Sequence, residues 1–400
     1  MKILYISYNS ALGPLFQTQG LPYVFGASSN GHKFILLTFE TAGHMDNLLY
    51  CKVNEGLSQG GGSWFFLKFH RHPPVFAKIY DLLQGIIMVL VLLYKFKIDS
   101  VQARGLFSAL IAFIPCLLSG KKLIFDTRSK LSEAYAVSGR WKKDGQIFRF
   151  ITFVEYLCAK IANVVVVETI LHKTEIAQMF KDAGTCKIIE VIPSCVDLSR
   201  FKNTQKRLNN RAKFTIVYLG SLSGWYCFRE ILQFFQKAKE IFAGCQMLFL
   251  TRDDPAPIFQ YMQEEKGFPE HSVKVRSAGP QDIPQILADA NAGIILRYPG
   301  TRLTSFPIKI GEYLAAGIPV ILNHGMGDAE KFIVDNNVGI ALVGFGDEDF
   351  ARGFRRVISL ASEPDIRKRC LSSARILSVE TGVARYLALY TKMEETAKVI

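Results

Sequence analysis

Residues 302–321 read Arg302-Leu-Thr-Ser-Phe-Pro-Ile-Lys-Ile-Gly-Glu-Tyr-Leu-Ala-Ala-Gly-Ile-Pro-Val-Ile321. The order is a polar loop, a short helix, a glycine stop and an apolar strand. Thr304 or Ser305 is placed to cap the helix, with Pro307 in its first turn. Gly317 suits a left-handed exit, and Pro319 bars further helix. The apolar residues 318–322 then predict a short buried strand. Lys309 and Glu312 stand three apart, so they share one helical face. A helix start offers free N–H groups and positive dipole to an anion, and Lys309 adds a cation beside them. Glu312, one turn deeper, can accept hydrogen bonds from a pair of hydroxyls. A diphosphate joined to a ribose fits both.

Outward from this stretch, strand and helix signals alternate along the chain. The first half predicts strands at 2–8, 33–39, 99–103, 121–126, 163–167 and 188–192. The second half predicts them at 214–219, 246–251, 272–276, 292–296, 318–322 and 338–342. Helical stretches between strands imply parallel sheets. Two such series in 400 residues predict two Rossmann-like domains, over 1–198 and 214–375. The polar, basic segment 199–213 reads as the linker, and 376–400 as closing helices.

The segment from Pro307 to Val320 resembles the "P-x-K-x-x-E-Y-x-A-x-G-x-P-V" pattern of the large retaining glycosyltransferase family 4, which has the GT-B fold. A second stretch, Val191-Ile-Pro-Ser-Cys-Val-Asp-Leu-Ser-Arg-Phe201, is similar to the "V-I-P-N-G-V-D-x-x-x-F" that ends the first domain in that family. The resemblance implies an α/β GT-B fold: two Rossmann-like domains whose parallel sheets face across a cleft, with the last helix returning to the first domain. It implies transfer of a sugar from a nucleotide-diphosphate donor to an acceptor hydroxyl with retention, and a ribose bound at Glu312. Thr304 stands where many members have a second glutamate that touches the donor sugar.

Ligands of open parallel sheets bind beyond the carboxyl ends of the strands. On the donor side the candidates are therefore Gly220 and Ser221 after residues 214–219, Arg297 after 292–296, and Arg302, Thr304, Ser305, Lys309 and Glu312. On the acceptor side Gly13 follows the first strand and Arg104 the third. Asp126 and Arg128 lie in a stretch similar to the "F-D-x-R-G-x-x-x-x-E" of some relatives, with Ser129 at the glycine. A carboxylate at a strand end can orient or deprotonate a hydroxyl. An Asp–Arg pair can equally fix a loop, and Glu168 can line the site or cap the next helix. Asp126, Arg128 and Lys309 are the catalytic candidates.

The chain carries a net charge of +13, with 49% hydrophobic and 21% charged residues. Residues 1–200 hold 22 Lys and Arg against 14 Asp and Glu, so the excess is larger in the first half. A basic surface suits anionic partners such as nucleotide sugars and acidic lipid. No basic run interleaved with aromatics points to nucleic acid. Eight cysteines without a C-x-x-C pair imply free thiols. The N-terminus reads as a strand rather than a signal peptide, so a cytoplasmic protein is expected.

The apolar stretches 82–94 and 105–120 fall short of the ~20 residues needed to span a bilayer and predict two buried core helices. The basic cluster Arg140-Trp-Lys-Lys143, with Arg149, is the candidate for peripheral contact with anionic headgroups. Asp347-Glu-Asp349 reads as helix capping, and His70-Arg-His72 shows no partner ligands. No metal or other cofactor is expected, because cations and a helix start can neutralise a diphosphate leaving group. The acceptor is expected to be a saccharide, or one linked to lipid. Two further readings stay open: a sugar-nucleotide epimerase of the same fold, and a non-catalytic scaffold or sensor.

Overall fold

The computed structural model describes residues 1–41, 47–182, 187–202, 204, 212–222, 224–265, 268–269, 271–298 and 303–398. The chain folds into two compact units. The first comprises Met1–Ala134, Asp144–Cys195 and Val379–Ile400; the second comprises Tyr135–Lys143 and Val196–Ser378.

The first unit holds a seven-stranded parallel sheet. Its strands are β1 (Lys2–Ser7), β2 (Lys33–Glu40), β3 (Ser63–Lys68), β4 (Ser100–Arg104), β5 (Lys122–Asp126), β6 (Val164–Val167) and β7 (Ile188–Val191). They run in the order β3-β2-β1-β4-β5-β6-β7. Alternate side chains of β1 enter opposite cores: Leu4 and Ile6 on one face, Ile3 and Tyr5 on the other. The closing helix Val379–Lys398 lies on the second face, where Tyr386, Leu389 and Tyr390 join the Leu21–Ser28 helix.

The second unit has six parallel strands in the order β10-β9-β8-β11-β12-β13. These are β8 (Phe214–Leu219), β9 (Cys245–Leu250), β10 (Val273–Arg276), β11 (Ala292–Ile294), β12 (Val320–Asn323) and β13 (Gly339–Leu342). In both sheets the chain turns back at the first strand. The switch points therefore fall between β1 and β4 and between β8 and β11, where the flanking loops diverge and leave a crevice.

Three expectations need correction. Strand β3 lies outside the strands expected from the sequence; it is an edge strand beside Gly60–Gly62, and its burial alternates although Trp64-Phe-Phe-Leu67 is apolar throughout. The helix of the decisive stretch runs Ile308–Ala315, so Pro307 occupies the capping position and neither Thr304 nor Ser305 caps it. The apolar stretch 82–94 is not a buried core helix. It belongs to the longer helix Pro74–Phe96, whose outer side is open.

Two smaller expectations are corrected as well. Asp347, Glu348 and Asp349 form the first turn of Asp347–Ala361 and complement its dipole, while Gly346 takes the cap. His70 has a partner after all: its Nδ1 lies 2.6 Å from Asp81 Oδ1.

Candidate functional site

Helix Ile308–Ala315 is fixed against the switch point of the second sheet by one side chain. The Tyr313 hydroxyl accepts from Leu219 N on β8 at 2.9 Å and donates to Ile294 O on β11 at 3.2 Å. A Cβ at Gly293 would come within 2.3 Å of the Tyr313 ring, so glycine is what lets the helix sit so close. Gly317 leaves the helix at φ +75° as its sequence predicts.

This docking presents Lys309 to the loop after β8. A Cβ on Gly220 would fall 1.9 Å from Lys309 Nζ, and Gly220 has φ +143°. The ammonium sits 3.7 Å from the Tyr226 ring centroid and 5.6 Å from that of Tyr218. Arg297 joins from the loop after β11, its guanidinium carbon 5.5 Å from the Tyr226 ring. Tyr226 and Arg297 also pair through their backbones. Arg297 is 5% exposed. Its Nη1 donates to Ser305 Oγ at 3.2 Å, and its Nε has no hydrogen-bond partner among the described residues. A buried guanidinium with an unused donor is suited to a further anionic acceptor.

Electrostatics sharpen this cluster. Burial opposes ionisation of the Tyr226 phenol, but the Lys309 and Arg297 charges outweigh it and pull it down to about 6. Burial also pushes the Lys309 ammonium below its usual range, with the Tyr226 charge working against that shift. The phenol thus stands as an internal counter-ion to two cations.

Glu312, 5% exposed, lies one turn further along. Its Oε1 accepts from Arg200 Nη1 at 3.3 Å. Burial raises its carboxyl above the ordinary range, while Arg200 and then Lys309 pull the other way. Arg200 also donates to Pro280 O, which ties the 279–291 loop to the same corner. The β8 loop is held by Asp253, which accepts from Ser221 Oγ at 2.6 Å and from Leu222 N at 2.7 Å.

The structure therefore gathers Gly220, Ser221, Arg297, Thr304, Ser305, Lys309 and Glu312 at one corner of the second unit. Thr304 is buried there, and Arg302 lies outside the described residues. Sequence reading missed Arg200, Tyr218, Tyr226 and Asp253. Arg200 had a signal, since it lies within the Val191–Phe201 stretch already singled out.

In the first unit Asp126 is 1% exposed, at the end of β5. Arg104 Nη1 and Arg128 Nη1 approach it at 3.7 and 3.9 Å, and the Tyr386 hydroxyl donates to it at 3.0 Å. Arg128 also reaches Glu168 at 2.5 Å, Ser194 Oγ at 2.8 Å and Gln19 Oε1 at 3.1 Å. Arg128 adopts φ +55°, a left-handed backbone that non-glycine residues usually avoid. This network fixes the loop after β5 and turns Asp126 inward. Glu168 serves the same network. Gly13 ends the loop after β1, whose Ala11 N donates to Glu40 Oε1 at 2.7 Å; Glu40 is another residue that sequence reading missed. Among the described residues no group of three or more His, Cys, Asp or Glu is placed to hold a metal ion.

No protein-family model and no curated protein matches the sequence. Solved structures do match in fold. Sucrose-phosphate synthase of Thermosynechococcus elongatus superposes with a TM-score of 0.75 at 14% identity, covering 99% of both chains. HepE of Anabaena, solved with UDP and glucose, gives 0.68 at 14% identity over 98% of this chain and 99% of that one. A Listeria monocytogenes protein, provisionally described as a UDP-N-acetylglucosamine 2-epimerase, gives 0.62 at 11% identity over 98% and 97%. The shared architecture is the GT-B fold, with two Rossmann-like units of parallel sheet.

Proposed function

We propose that the protein is a glycosyltransferase that moves a sugar from a nucleoside diphosphate to an acceptor hydroxyl. The observation that carries this reading is the corner where Lys309, Arg297 and Glu312 converge at the switch point of the second sheet. Fold neighbours solved with UDP support a nucleotide-sugar donor. In this reading Lys309, the Arg297 Nε and the first N–H groups of helix Ile308–Ala315 take the diphosphate, and Gly220 lets it approach the backbone. Glu312 takes the ribose hydroxyls, turning from Arg200 to do so. Thr304, Ser305 and Ser221 complete the donor pocket, and Arg302 is assigned to the donor side from its place in the sequence alone.

The reaction breaks the bond between the anomeric carbon and the diphosphate oxygen and joins that carbon to the acceptor oxygen. The acceptor proton leaves with the diphosphate or to solvent. Negative charge grows on the leaving oxygen, so fixed cations there lower the barrier without a metal. Asp126 and Arg128, with Arg104 beside them, set the loop after β5 on the acceptor side, and Gly13 shapes the loop after β1. Because Asp126 is held inward, its part in the reaction is to position the loop rather than to take the proton. Retention of configuration, a saccharide or lipid-linked acceptor, a role in cell-surface glycan synthesis and a cytoplasmic, membrane-peripheral location belong to the same proposal.

The epimerase reading stays as the second one, because one fold neighbour carries that description. The test is to incubate nucleotide sugars with and without cell-envelope acceptors. Release of nucleoside diphosphate together with a glycosylated acceptor supports transfer. A new sugar-nucleotide isomer formed from donor alone supports the epimerase. Binding of donor with neither product leaves a non-catalytic sensor and overturns the transferase.

A further inference from the structure

The helix Pro74–Phe96 is long and apolar enough to cross a membrane by length and composition, yet only 28% of its apolar window is buried. Its open residues are not scattered. Phe76, Tyr80, Leu83, Ile87, Val91 and Tyr94 recur at helical spacing along one side, from 51% to 91% exposed. Two neighbouring helices extend the same surface. Leu106–Ser119 exposes Ile114, Leu117 and Leu118, and Gln146–Ile161 exposes Ile147, Phe150 and Phe153. The three helices jointly line an apolar groove of ≈ 410 Å³, where the open Ile79, Leu83 and Ile114 meet Val154 and Leu157 of the third helix. An apolar face of this extent is uncommon on a free surface and calls for a partner.

The charges on these helices indicate which partner. The three helices carry four basic residues, Lys78, Lys95, Arg149 and Lys160, and only two acids, Asp81 and Glu155. Both acids are engaged inward. Asp81 is fully buried and accepts from the Tyr8 hydroxyl at 2.9 Å and pairs with His70. Glu155 accepts from Leu131 N at 2.5 Å and Ser132 Oγ at 2.7 Å. The outward charge of the three helices is therefore positive, and just beyond the ends of Pro74–Phe96 two exposed cations, Arg71 and Lys97, stand against one exposed acid, Asp99.

We propose that this three-helix face of the first unit docks in the plane of an anionic lipid bilayer. The deepest insertion comes from the Phe76–Tyr94 stripe, and the lysines and arginines reach the headgroups. Helix Pro74–Phe96 lies on the membrane instead of spanning it. Drawing it across would strip Ala77, Val89 and Leu92 from the core and Asp81 from both partners. The proposal deepens the membrane-peripheral location given above and is independent of the donor site, which lies in the other unit.

The test is cosedimentation of the full chain with vesicles of phosphatidylcholine alone or mixed with phosphatidylglycerol. Binding should favour the anionic vesicles by at least about tenfold, since several basic residues each add to attraction near the surface. The double variant Phe76→Asp with Ile87→Asp should lose anionic-vesicle binding by at least about tenfold, because two inserted apolar side chains are replaced by charges. Its affinity for nucleoside diphosphate should be unchanged, which shows that it folds and separates this test from that of the donor site. Lys78→Glu with Arg149→Glu should abolish the preference for anionic lipid. Absence of vesicle binding by the natural chain, equal binding to both vesicle types, or full binding by the double variant would each overturn the proposal. So would a natural dimer, seen by sedimentation, that the double variant converts to monomer, because a second copy would then be what covers the face.

Discussion

Replacing Lys309 by Met separates a binding residue from a packing residue. Methionine keeps the unbranched stem between the Tyr218 and Tyr226 rings and removes only the charge. Two terms act on stability. The contact of the ammonium with Tyr226 at 3.7 Å is lost, worth about 2 kcal/mol for a desolvated cation on an aromatic face. Against it, a buried charge no longer has to be desolvated, which costs several kcal/mol per ion in real proteins. Repulsion with Arg297 is also relieved. These terms govern the variant below about pH 6, where the Tyr226 phenol is neutral, and its stability there should be unchanged or raised in urea titration. Above that pH the phenolate loses one of its two counter-cations, and the variant should be less stable than the natural chain. Donor binding should fall at either pH. A hydrogen bond to a charged group contributes about 1.5–3 kcal/mol, so affinity for nucleoside diphosphate should fall roughly 10- to 150-fold. The assay is calorimetric titration with whichever of UDP, GDP, ADP and dTDP binds the natural protein best. The matching nucleoside, which lacks phosphate, should bind the two proteins equally. A variant that binds the diphosphate as tightly as the natural chain, or that loses nucleoside and diphosphate alike, refutes the role given to Lys309.

Glu312→Ala should weaken nucleoside and nucleoside diphosphate together by about 2–3 kcal/mol, because the lost partner is the ribose; calorimetry of both ligands checks it. Tyr226 should ionise near pH 6 in an ultraviolet titration, and that step should vanish in Tyr226→Phe. The folded phenol is depressed from its usual value near 10, so its stabilisation is fully present above that value and is lost as pH falls through about 6. The stability deficit of Tyr226→Phe should accordingly be absent below pH 6 and grow as pH rises above it, as read by urea titration across that range. Tyr313→Phe strands Leu219 N and removes the hydroxyl's donation to Ile294 O, and should cost about 1–3 kcal/mol in the same measurement. Gly220→Ala forces a side chain onto Lys309 at φ +143°, and calorimetry should find diphosphate affinity reduced with nucleoside affinity kept.

The donor corner was legible where its chemistry is local. Gly317, Pro319 and the Lys309–Glu312 spacing define a helix exit and a shared face within a single turn or two, and local rules suffice for that. Arg200, Tyr226 and Asp253 were not legible in this way. Each reaches the corner from a different loop, and only the folded sheet brings them to Glu312, Lys309 and Ser221. The capping expectation at Thr304 and Ser305 failed because Ser305 is engaged by Arg297, which follows another strand. Strand β3 carries a continuous apolar run, Trp64-Phe-Phe-Leu67, that fits a strand; its place at the half-exposed sheet edge shows only in the fold. Helix Pro74–Phe96 was read as buried because its residues are apolar on both sides. Composition records that surface leaves water, and it does not record whether protein or lipid replaces the water.

The central claim is where a nucleoside diphosphate binds, and a crystal structure of the complex tests that most directly. The account predicts Lys309 drawn from between the tyrosine rings onto the diphosphate, Arg297 Nε bonded to a phosphate oxygen, and Glu312 released from Arg200 to hold both ribose hydroxyls. A complex with Lys309 still against Tyr226, Glu312 still on Arg200 and the nucleotide held elsewhere contradicts it.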